Sequence, residues 1–165
     1  MHSAWRFCPR CGASLQTTPV DGTDRLACTP ACGFVHYDNP TPVVAAIVQC
    51  EDRDGAVLLA RNVAWEPGKF ALVTGFLERN EDPAHGVVRE VREETALEVI
   101  DRSLVGLYPF ERKNELLLAY HVRARGEIVL NEELAEYRLI APEKLKAWEY
   151  GTGLAVRDWL AGRGA

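Results

Sequence analysis

The stretch that decides the fold runs from Gly75 to Leu97 and reads GFLERNEDPAHGVVREVREETAL. Three of its carboxylates, those of Glu90, Glu93 and Glu94, stand at positions i, i+3 and i+4 of a predicted helix, so they leave the helix within one turn of each other. Carboxylates at this density repel one another unless a cation lies between them. Their hard oxygen atoms suit Mg²⁺ or Mn²⁺, which bind best when substrate phosphates complete the coordination shell. The stretch therefore predicts a metal site that faces a phosphorylated ligand.

The sequence also predicts where this helix begins and how its charges are balanced. Asp82 can cap the helix, and Pro83 suits its first position. Arg89 lies four residues before Glu93 and eight after Glu81, so its guanidinium can screen and orient the crowded carboxylates. The alternative interpretation of a lone E-x-x-E-E pattern is an acidic helix face in contact with solvent. The wider pattern, with glycine and arginine at fixed positions, favours the metal site.

At these residues the chain resembles the Nudix hydrolase family, whose box reads G-x5-E-x7-R-E-U-x-E-E-x-G-U with U apolar. Ala96 stands where the family has its last glycine. That position is at the helix C-terminus, where glycine supplies a left-handed turn, so we expect about 1 kcal/mol of local strain rather than the loss of a ligand. Asn80 replaces another usual glycine and tolerates the left-handed region. The matching residues are Gly75, Glu81, Arg89, Glu90, Val91, Glu93, Glu94 and Leu97.

The resemblance implies an α/β protein, a Nudix-type α/β/α sandwich with a mixed sheet. It also implies cleavage of a diphosphate linkage by water with the help of Mg²⁺ or Mn²⁺. Arg89 belongs to the predicted catalytic set because it would brace the loop at Glu81 against the helix. The metal ligands implied within the box are the carbonyl of Gly75 and the side chains of Glu90, Glu93 and Glu94.

A further carboxylate is expected outside the box. The proton of the attacking water could pass to a box glutamate or to a carboxylate from a distant loop. Residues 136–140, EYRLI, resemble the E-A-R-W-F stretch of zinc-ribbon Nudix pyrophosphatases, in which the glutamate helps to bind metal, so Glu136 is the candidate. Glu132 and Glu133 lie nearby, so the metal-binding glutamate could instead be one of these two. The alternative for all three glutamates is that they are surface charges in contact with solvent.

Four of the five cysteines form two knuckles, CPRCG at 8–12 and CTPACG at 28–33. Two such pairs can close a tetrahedral site of four thiolates, and the glycine after each pair relieves the strain of a tight turn. About 35 residues are too few to hold a fold without metal or cross-links. A disulfide framework is the alternative. We expect structural Zn²⁺ bound by Cys8, Cys11, Cys28 and Cys32.

The rest of the chain predicts a small unit followed by a larger one. The stiff segment 38–42, DNPTP, cannot enter a central strand, so we expect a zinc ribbon over residues 1–38 and a Nudix domain over residues 39–165. Apolar and alternating patterns predict strands at 43–50, 56–61, 70–75, 98–108, 115–124 and 137–140. Helices are predicted at 141–148, which begins with a proline in its first turn, and at 154–160.

The amino-acid composition limits where the protein is expected to be located and which partners it is expected to bind. No stretch of the 165 residues approaches the roughly 18 apolar residues of a membrane span, and the first ten lack the apolar segment of a signal peptide. We therefore expect a cytoplasmic protein without a membrane partner. A net charge of −5 and a pI near 5.4 argue against tight binding to long nucleic acid. The resemblance leaves a homodimer open.

The sequence determines the substrate less well than it determines the other features. NADH pyrophosphatases of the zinc-ribbon group carry S-Q-P-W-P-F-P-x-S after the box, and this chain offers only LYPFE at 107–111. The resemblance to the ADP-ribose and FAD pyrophosphatases therefore favours ADP-ribose or FAD, with NADH less favoured. Two alternatives stay open, namely a catalytically weak or inactive nucleotide-binding Nudix protein and a zinc-ribbon interaction module.

Overall fold

The computed structural model describes residues 5–29 and 32–163. Two compact units divide between Asn39 and Pro40. The first unit contains an antiparallel three-stranded sheet in the order β1-β2-β3. Its strands are β1 (Gln16–Val20), β2 (Thr23–Ala27) and β3 (Val35–His36).

The second unit is built on a six-stranded sheet. Five strands follow the order β7-β8-β4-β5-β9, and β6 pairs with β4. The β4–β8 pair is parallel and the other pairs are antiparallel, so the predicted mixed sheet is confirmed. The expectation that segment 38–42 stays out of a central strand is wrong, because Pro42 lies at the start of β4 opposite Leu116 of β8, where a strand end tolerates proline. The elements are β4 (Thr41–Cys50), β5 (Ala56–Asn62), β6 (Val73–Phe76), α1 (Pro83–Thr95), β7 (Glu98–Phe110), β8 (Glu115–Arg125), β9 (Leu134–Ile140) and α2 (Gly153–Gly162).

Each face of this sheet has its own core, because successive side chains of β4 point to opposite faces. Val43, Ala45 and Ile47 join one buried cluster, which includes Val156 and Trp159 of α2. The next residues along β4, Val44, Ala46 and Val48, join the other cluster, which includes Val87 and Val91 of α1. The helices therefore cover opposite faces of the sheet, and the α/β/α architecture predicted from the sequence is confirmed.

The helix of the opening stretch begins and ends as predicted. The Asp82 carboxylate accepts a hydrogen bond from the Ala84 N–H at 2.8 Å, and Pro83 is the first helical residue. Ala96 follows α1 in the left-handed conformation, with φ 58°, and its N–H donates to the Arg92 carbonyl at 2.9 Å. Alanine therefore makes the turn that glycine makes in the family, at a cost of about 1 kcal/mol. Asn80 is also left-handed, with φ 65°.

The helix predicted at residues 141–148 is wrong. Only a short 3-10 turn, Pro142–Lys144, forms there, and Leu145 already has extended backbone, with φ −69° and ψ 127°. The extended chain lets Leu145 and then Trp148 pack into the core cluster beside α2, so tertiary packing overrides the local helix signal. Among the residues that the structure describes, no helix has both the length and the apolar character needed to cross a membrane.

Candidate active site

Gly75 brings β6 and α1 into close contact. It lies in β6 opposite Val44 of β4, and a Cβ atom at this position would overlap the carboxylate of Glu90. Glycine is therefore required at this position because a side chain would not fit, and not because the backbone is left-handed. Because Gly75 has no side chain, the Glu90 carboxylate of the helix can lie directly against the strand that leads into the loop.

Arg89 ties the loop and the helix together. Its Nε and Nη2 atoms donate to the two oxygens of Glu81 at 2.7 and 2.9 Å, and Nη2 also donates to the Phe76 carbonyl at 3.1 Å. Its Nη1 atom donates to Glu90 at 2.7 Å and to Glu93 at 3.0 Å. The Arg89 guanidinium lowers the pKa of Glu81 to about 2. The contact expected between Arg89 and Glu81 is present, and it fixes the loop against the first turns of α1.

Glu94 is the buried carboxylate of the site, with only 7% of the residue exposed. Burial raises its pKa from 4.5 to about 8, and the charges of Glu90, Glu133 and Glu93 add to the rise. Burial also raises the pKa of Glu90, although Arg89 opposes the change. None of the described residues donates a hydrogen bond to the Glu94 carboxylate. A buried carboxylate among other carboxylates, without a donor, is costly unless a cation neutralises it.

The carboxylate that joins the box from a distant loop is that of Glu133. It raises the pKa of both Glu90 and Glu94 and lines a small cavity of about 60 Å³ with Glu94. Glu136, which the sequence favoured, instead forms an ion pair with Arg61, at 2.6 Å between Nε and Oε1. Glu136 influences the pKa of neither Glu90 nor Glu94. The structure therefore brings Glu133, rather than Glu136, close to Glu90 and Glu94, and a metal-binding role for either glutamate stays a prediction.

The loop between β8 and β9 places Glu133 through backbone hydrogen bonds. The N–H of Val129 donates to the Thr95 carbonyl at 3.0 Å, and the N–H of Asn131 donates to the Glu94 carbonyl at 3.2 Å. Asn131 Oδ1 then accepts from the Glu133 N–H at 3.0 Å. This loop covers the C-terminal turn of α1, whose last carbonyls would otherwise lack donors. In the sequence, only the segment 131–133, an asparagine followed by two glutamates, indicated this turn.

Four carboxylates thus form one site, which we call the carboxylate cluster (Glu90, Glu93, Glu94 and Glu133). Glu93 is its most open helical member, with 56% of its side chain exposed, whereas Glu94 is buried beneath it. These donors are all hard oxygen atoms, the ligand type that Mg²⁺ and Mn²⁺ prefer, although among the described residues only the four cysteines have their ligand atoms close enough together to hold an ion as they stand. Such a site can bind a diphosphate and stabilise the negative charge that develops on it.

The aromatic residues near this region differ in their surroundings. Tyr108 is buried in the core beside α2, and its hydroxyl donates to Asp158 at 2.9 Å. Phe110 packs against the same core. Trp65, in contrast, is 40% exposed and lines the small cavity that contains Glu94 and Glu133. Tyr108 and Phe110 therefore pack in the core, and only Trp65 shares a cavity with the carboxylate cluster.

The four paired cysteines converge in the first unit. The Sγ atoms of Cys8 and Cys32 lie 3.5 Å apart, as do those of Cys11 and Cys28, and all four lie within 4.8 Å of one another. Zinc–sulfur bonds of about 2.3 Å in a tetrahedron place sulfurs about 3.8 Å apart, so this donor set fits Zn²⁺. All four cysteines are free thiols, which excludes the disulfide alternative in this structure.

The knuckle glycines have the conformation that the sequence predicted. Gly12 and Gly33 have φ values of 74° and 67°. Their N–H groups donate to the carbonyls of Cys8 at 2.9 Å and Cys28 at 3.2 Å. The Arg10 N–H points at the sulfur of Cys8 at 3.4 Å, as expected for a backbone that surrounds a metal-bound thiolate.

Comparison with protein families agrees with this architecture. The family model described as "NUDIX domain" matches residues 40–158. The model described as "Nudix N-terminal", a zinc-ribbon model, matches residues 6–38. The chain therefore belongs to the Nudix hydrolase family, in the subgroup that carries an N-terminal zinc ribbon.

Curated proteins within this family are similar to most of the chain. The "NAD-capped RNA hydrolase NudC" of Pseudomonas aeruginosa (strain LESB58) is 34% identical over 132 residues, which are 79% of this chain and 45% of the relative. The protein of the same description from Stutzerimonas stutzeri (strain A1501) is 31% identical over 147 residues, 88% of this chain and 51% of the relative. This chain thus spans about half the length of these curated relatives.

A solved structure supports the fold over most of the chain. The crystal structure of a NUDIX hydrolase from Nitrosomonas europaea superimposes with a TM-score of 0.73 at 28% sequence identity. The match covers 86% of this chain and 80% of that one.

Proposed function

We propose that this protein hydrolyses the pyrophosphate bond of a nucleoside diphosphate derivative in a reaction that depends on Mg²⁺. The observation that carries the proposal is the carboxylate cluster around Glu94, a buried carboxylate with a pKa of about 8 and no hydrogen-bond donor. A stable fold rarely buries such a group without use, and strongly shifted pKa values mark functional sites. A structural role as a solvated acidic face does not account for the burial of Glu94.

The residues of the box have separate tasks in this proposal. Glu90, Glu93, Glu94 and Glu133 hold the divalent cations, with the Gly75 carbonyl as a further ligand. Bound Mg²⁺ would neutralise phosphoryl oxygens and lower the pKa of the attacking water. Arg89 orients the side chains of Glu90 and Glu93 through its hydrogen bonds to both carboxylates. A carboxylate of the cluster accepts the proton of the attacking water.

We further propose that the preferred substrate is a dinucleotide of the NAD type. This proposal replaces the preference for ADP-ribose or FAD, which the comparisons do not support, and it also reopens long nucleic acid as a partner. The two relatives described above, each at least 30% identical, are described as NAD-capped RNA hydrolases. In the mismatched stretch at 107–111, which had argued against NADH, Tyr108 is buried in the core beside α2 and Phe110 packs against that core, whereas Leu107, Pro109 and Glu111 are exposed.

The first unit has a structural role in this proposal. Residues 1–38 form a zinc ribbon in which Cys8, Cys11, Cys28 and Cys32 bind one Zn²⁺, and residues 39–165 form the catalytic domain. The convergence of the four sulfurs supports the zinc site. Zinc bound there would stabilise a unit that is too small to fold on a hydrophobic core alone.

A nucleotide-binding protein without turnover is the second candidate, and its main support was Ala96. The left-handed backbone of Ala96 and its bond to the Arg92 carbonyl preserve the end of α1, so this departure from the box does not disturb the carboxylates.

A substrate panel tests the proposed function. The protein is incubated with Mg²⁺ and with NADH, NAD⁺, ADP-ribose, FAD or a NAD-capped RNA, and nucleoside monophosphates are quantified by chromatography. We expect release of a monophosphate, with the highest kcat/KM for a substrate that contains NAD. Failure to cleave any member of the panel at catalytic enzyme concentrations would exclude the hydrolase. A kcat/KM for ADP-ribose or FAD above that for every NAD-containing substrate would exclude the proposed preference.

A further inference from the structure

An open groove runs between α1 and β7, beside the carboxylate cluster. Its cavity volume is about 580 Å³, far larger than the small cavity at Glu94. Val88 contributes an apolar lining, and Arg89 and Glu93 connect the groove to the carboxylate cluster. The complete set of lining residues is His85, Val88, Arg89, Arg92, Glu93 and Arg102. We call this feature the α1/β7 groove.

Two of its three arginines have positive charges that the protein does not neutralise. Arg92 and Arg102 are both exposed, and neither forms an ion pair with any residue in the described ranges 5–29 and 32–163. Arg89 differs, since Glu81, Glu90 and Glu93 surround its guanidinium. Glu93 is the acidic residue of the lining, and its carboxylate is already bonded to Arg89. The groove is therefore locally basic on a chain whose net charge is −5.

Asp101 does not cancel the charge of its neighbour Arg102. Asp101 acts electrostatically on His121 and Arg123, whereas Arg102 acts on Tyr120, which belongs to the core cluster beside α1. Consecutive residues of a strand point to opposite faces of the sheet. Arg102 therefore faces the groove, and Asp101 faces the side of the sheet that α2 covers.

The groove extends farther than one phosphate group. His85 and Arg92 are seven positions apart on the same face of α1, a separation of about 10 Å along the helix axis. One end of the groove meets the carboxylate cluster, where the diphosphate would be cleaved, and Arg102 adds a cation from the adjacent strand. His85, Arg92 and Arg102 form a row that begins beside the carboxylate cluster, and the two arginine charges fit the successive phosphates of a chain attached to the scissile bond.

We infer that the α1/β7 groove binds the backbone phosphates of a single-stranded nucleotide chain that extends from the hydrolysed diphosphate. The inference rests on the proposed function and deepens it, because it assigns a place for a substrate longer than a dinucleotide. Arg92 and Arg102 contact the phosphates, and His85 lies within the same row. The overall negative charge of the protein limits binding elsewhere, so the chain would be held at this groove.

Binding of RNA, measured without turnover, tests the inference separately from the hydrolase activity. The probe is a short, fluorescently labelled single-stranded RNA with a 5′-monophosphate, which contains no pyrophosphate bond to cleave. Its Kd is measured by fluorescence anisotropy at several salt concentrations for the wild type and for R92Q/R102Q. The matched control is K144Q/K146Q, which removes two exposed cations outside the groove. Thermal unfolding establishes that each variant is folded.

The salt dependence gives a quantitative expectation. Each phosphate contact to a single strand contributes about 0.7 to the slope of log K against log salt concentration, so R92Q/R102Q should lower the slope by about 1.4. Between about 50 and about 200 mM salt, the wild type should then lose about 7-fold more affinity than this variant. The control variant should retain the wild-type slope.

Three results would overturn the inference. The first is a wild-type protein that does not bind the RNA, and the second is an equal loss of slope in both variants. The third is displacement of the labelled RNA by inorganic phosphate as effectively as by unlabelled RNA at the same phosphate concentration, which would show a site for a single anion. A protein that binds the RNA as expected but cleaves no member of the substrate panel would refute the proposed hydrolase and leave the groove assignment standing.

Discussion

Glu94→Gln should stabilise the magnesium-free protein at pH 8 while it removes the function of the site. In the folded protein the pKa of Glu94 is about 8, against an ordinary value of 4.5. The folded state therefore keeps a proton that the unfolded chain releases above pH 4.5. The stability that this proton provides is complete below about pH 4.5 and is lost as the pH rises through 8. Glutamine is neutral at every pH and does not incur this loss.

The magnitude follows from the size of the pKa change. One pKa unit corresponds to about 1.4 kcal/mol, so the ionisation of Glu94 lowers the free energy of unfolding by about 4 kcal/mol at pH 8. For a chain of 165 residues, this corresponds to a change in Tm on the order of 10 °C. At pH 5 the side chain of Glu94 is protonated in the folded protein but partly ionised in the unfolded chain, so we expect the difference between Glu94→Gln and the wild type to fall to about 1 kcal/mol.

Scanning calorimetry at pH 5 and pH 8 measures the effect. Divalent cations are removed from the buffers with a chelating resin before the protein is added, because a soluble chelator would also extract zinc from the cysteine site. Glu132→Gln is the matched control, since Glu132 is exposed. Equal Tm values for Glu94→Gln and the wild type at pH 8, or the same difference at both pH values, would refute the reasoning.

Three further predictions concern single residues. Ala96→Gly should raise the free energy of unfolding in urea by about 0.5–1 kcal/mol, because glycine adopts the left-handed conformation without steric cost; a lower free energy of unfolding would contradict the strain assigned to Ala96. Gly75→Ala should lower kcat on the order of 10²-fold by displacing the Glu90 carboxylate, and wild-type kcat would remove the need for this close contact. Cys11→Ser should reduce bound zinc, measured by mass spectrometry, well below the one ion per chain expected for the wild type; unchanged zinc content would exclude Cys11 as a ligand.

The features that depend on local spacing were the ones the sequence could predict. The cap at Asp82 and the bonds between Arg89 and Glu81 follow from positions two and eight residues apart on a loop and a helix. The left-handed turn at Ala96 was predicted because this position corresponds to the last glycine of the box, and glycine after a helix commonly supplies such a turn. The knuckle cysteines are also paired locally, and each pair carries its own turn glycine.

The features that depend on long-range packing could not be predicted in the same way. Glu133 reaches the box because the loop between β8 and β9 bonds to the last turn of α1, and no local pattern distinguishes it from Glu136 in a strand nearby. The helix signal at 141–148 was overridden by the burial of Leu145. The groove at Arg92 and Arg102 joins a helix to a strand, so net charge alone could not reveal it.

The central claim is that the carboxylate cluster around Glu94 is the site of Mg²⁺-dependent pyrophosphate hydrolysis. The most direct test is steady-state hydrolysis of NADH with Mg²⁺ by the wild type, Glu94→Gln and the control Glu132→Gln, with nucleoside monophosphate as the measured product. We expect Glu94→Gln to lower kcat by at least about 10²-fold while remaining folded and Glu132→Gln to retain wild-type kcat. A wild-type rate in folded Glu94→Gln would contradict the central claim.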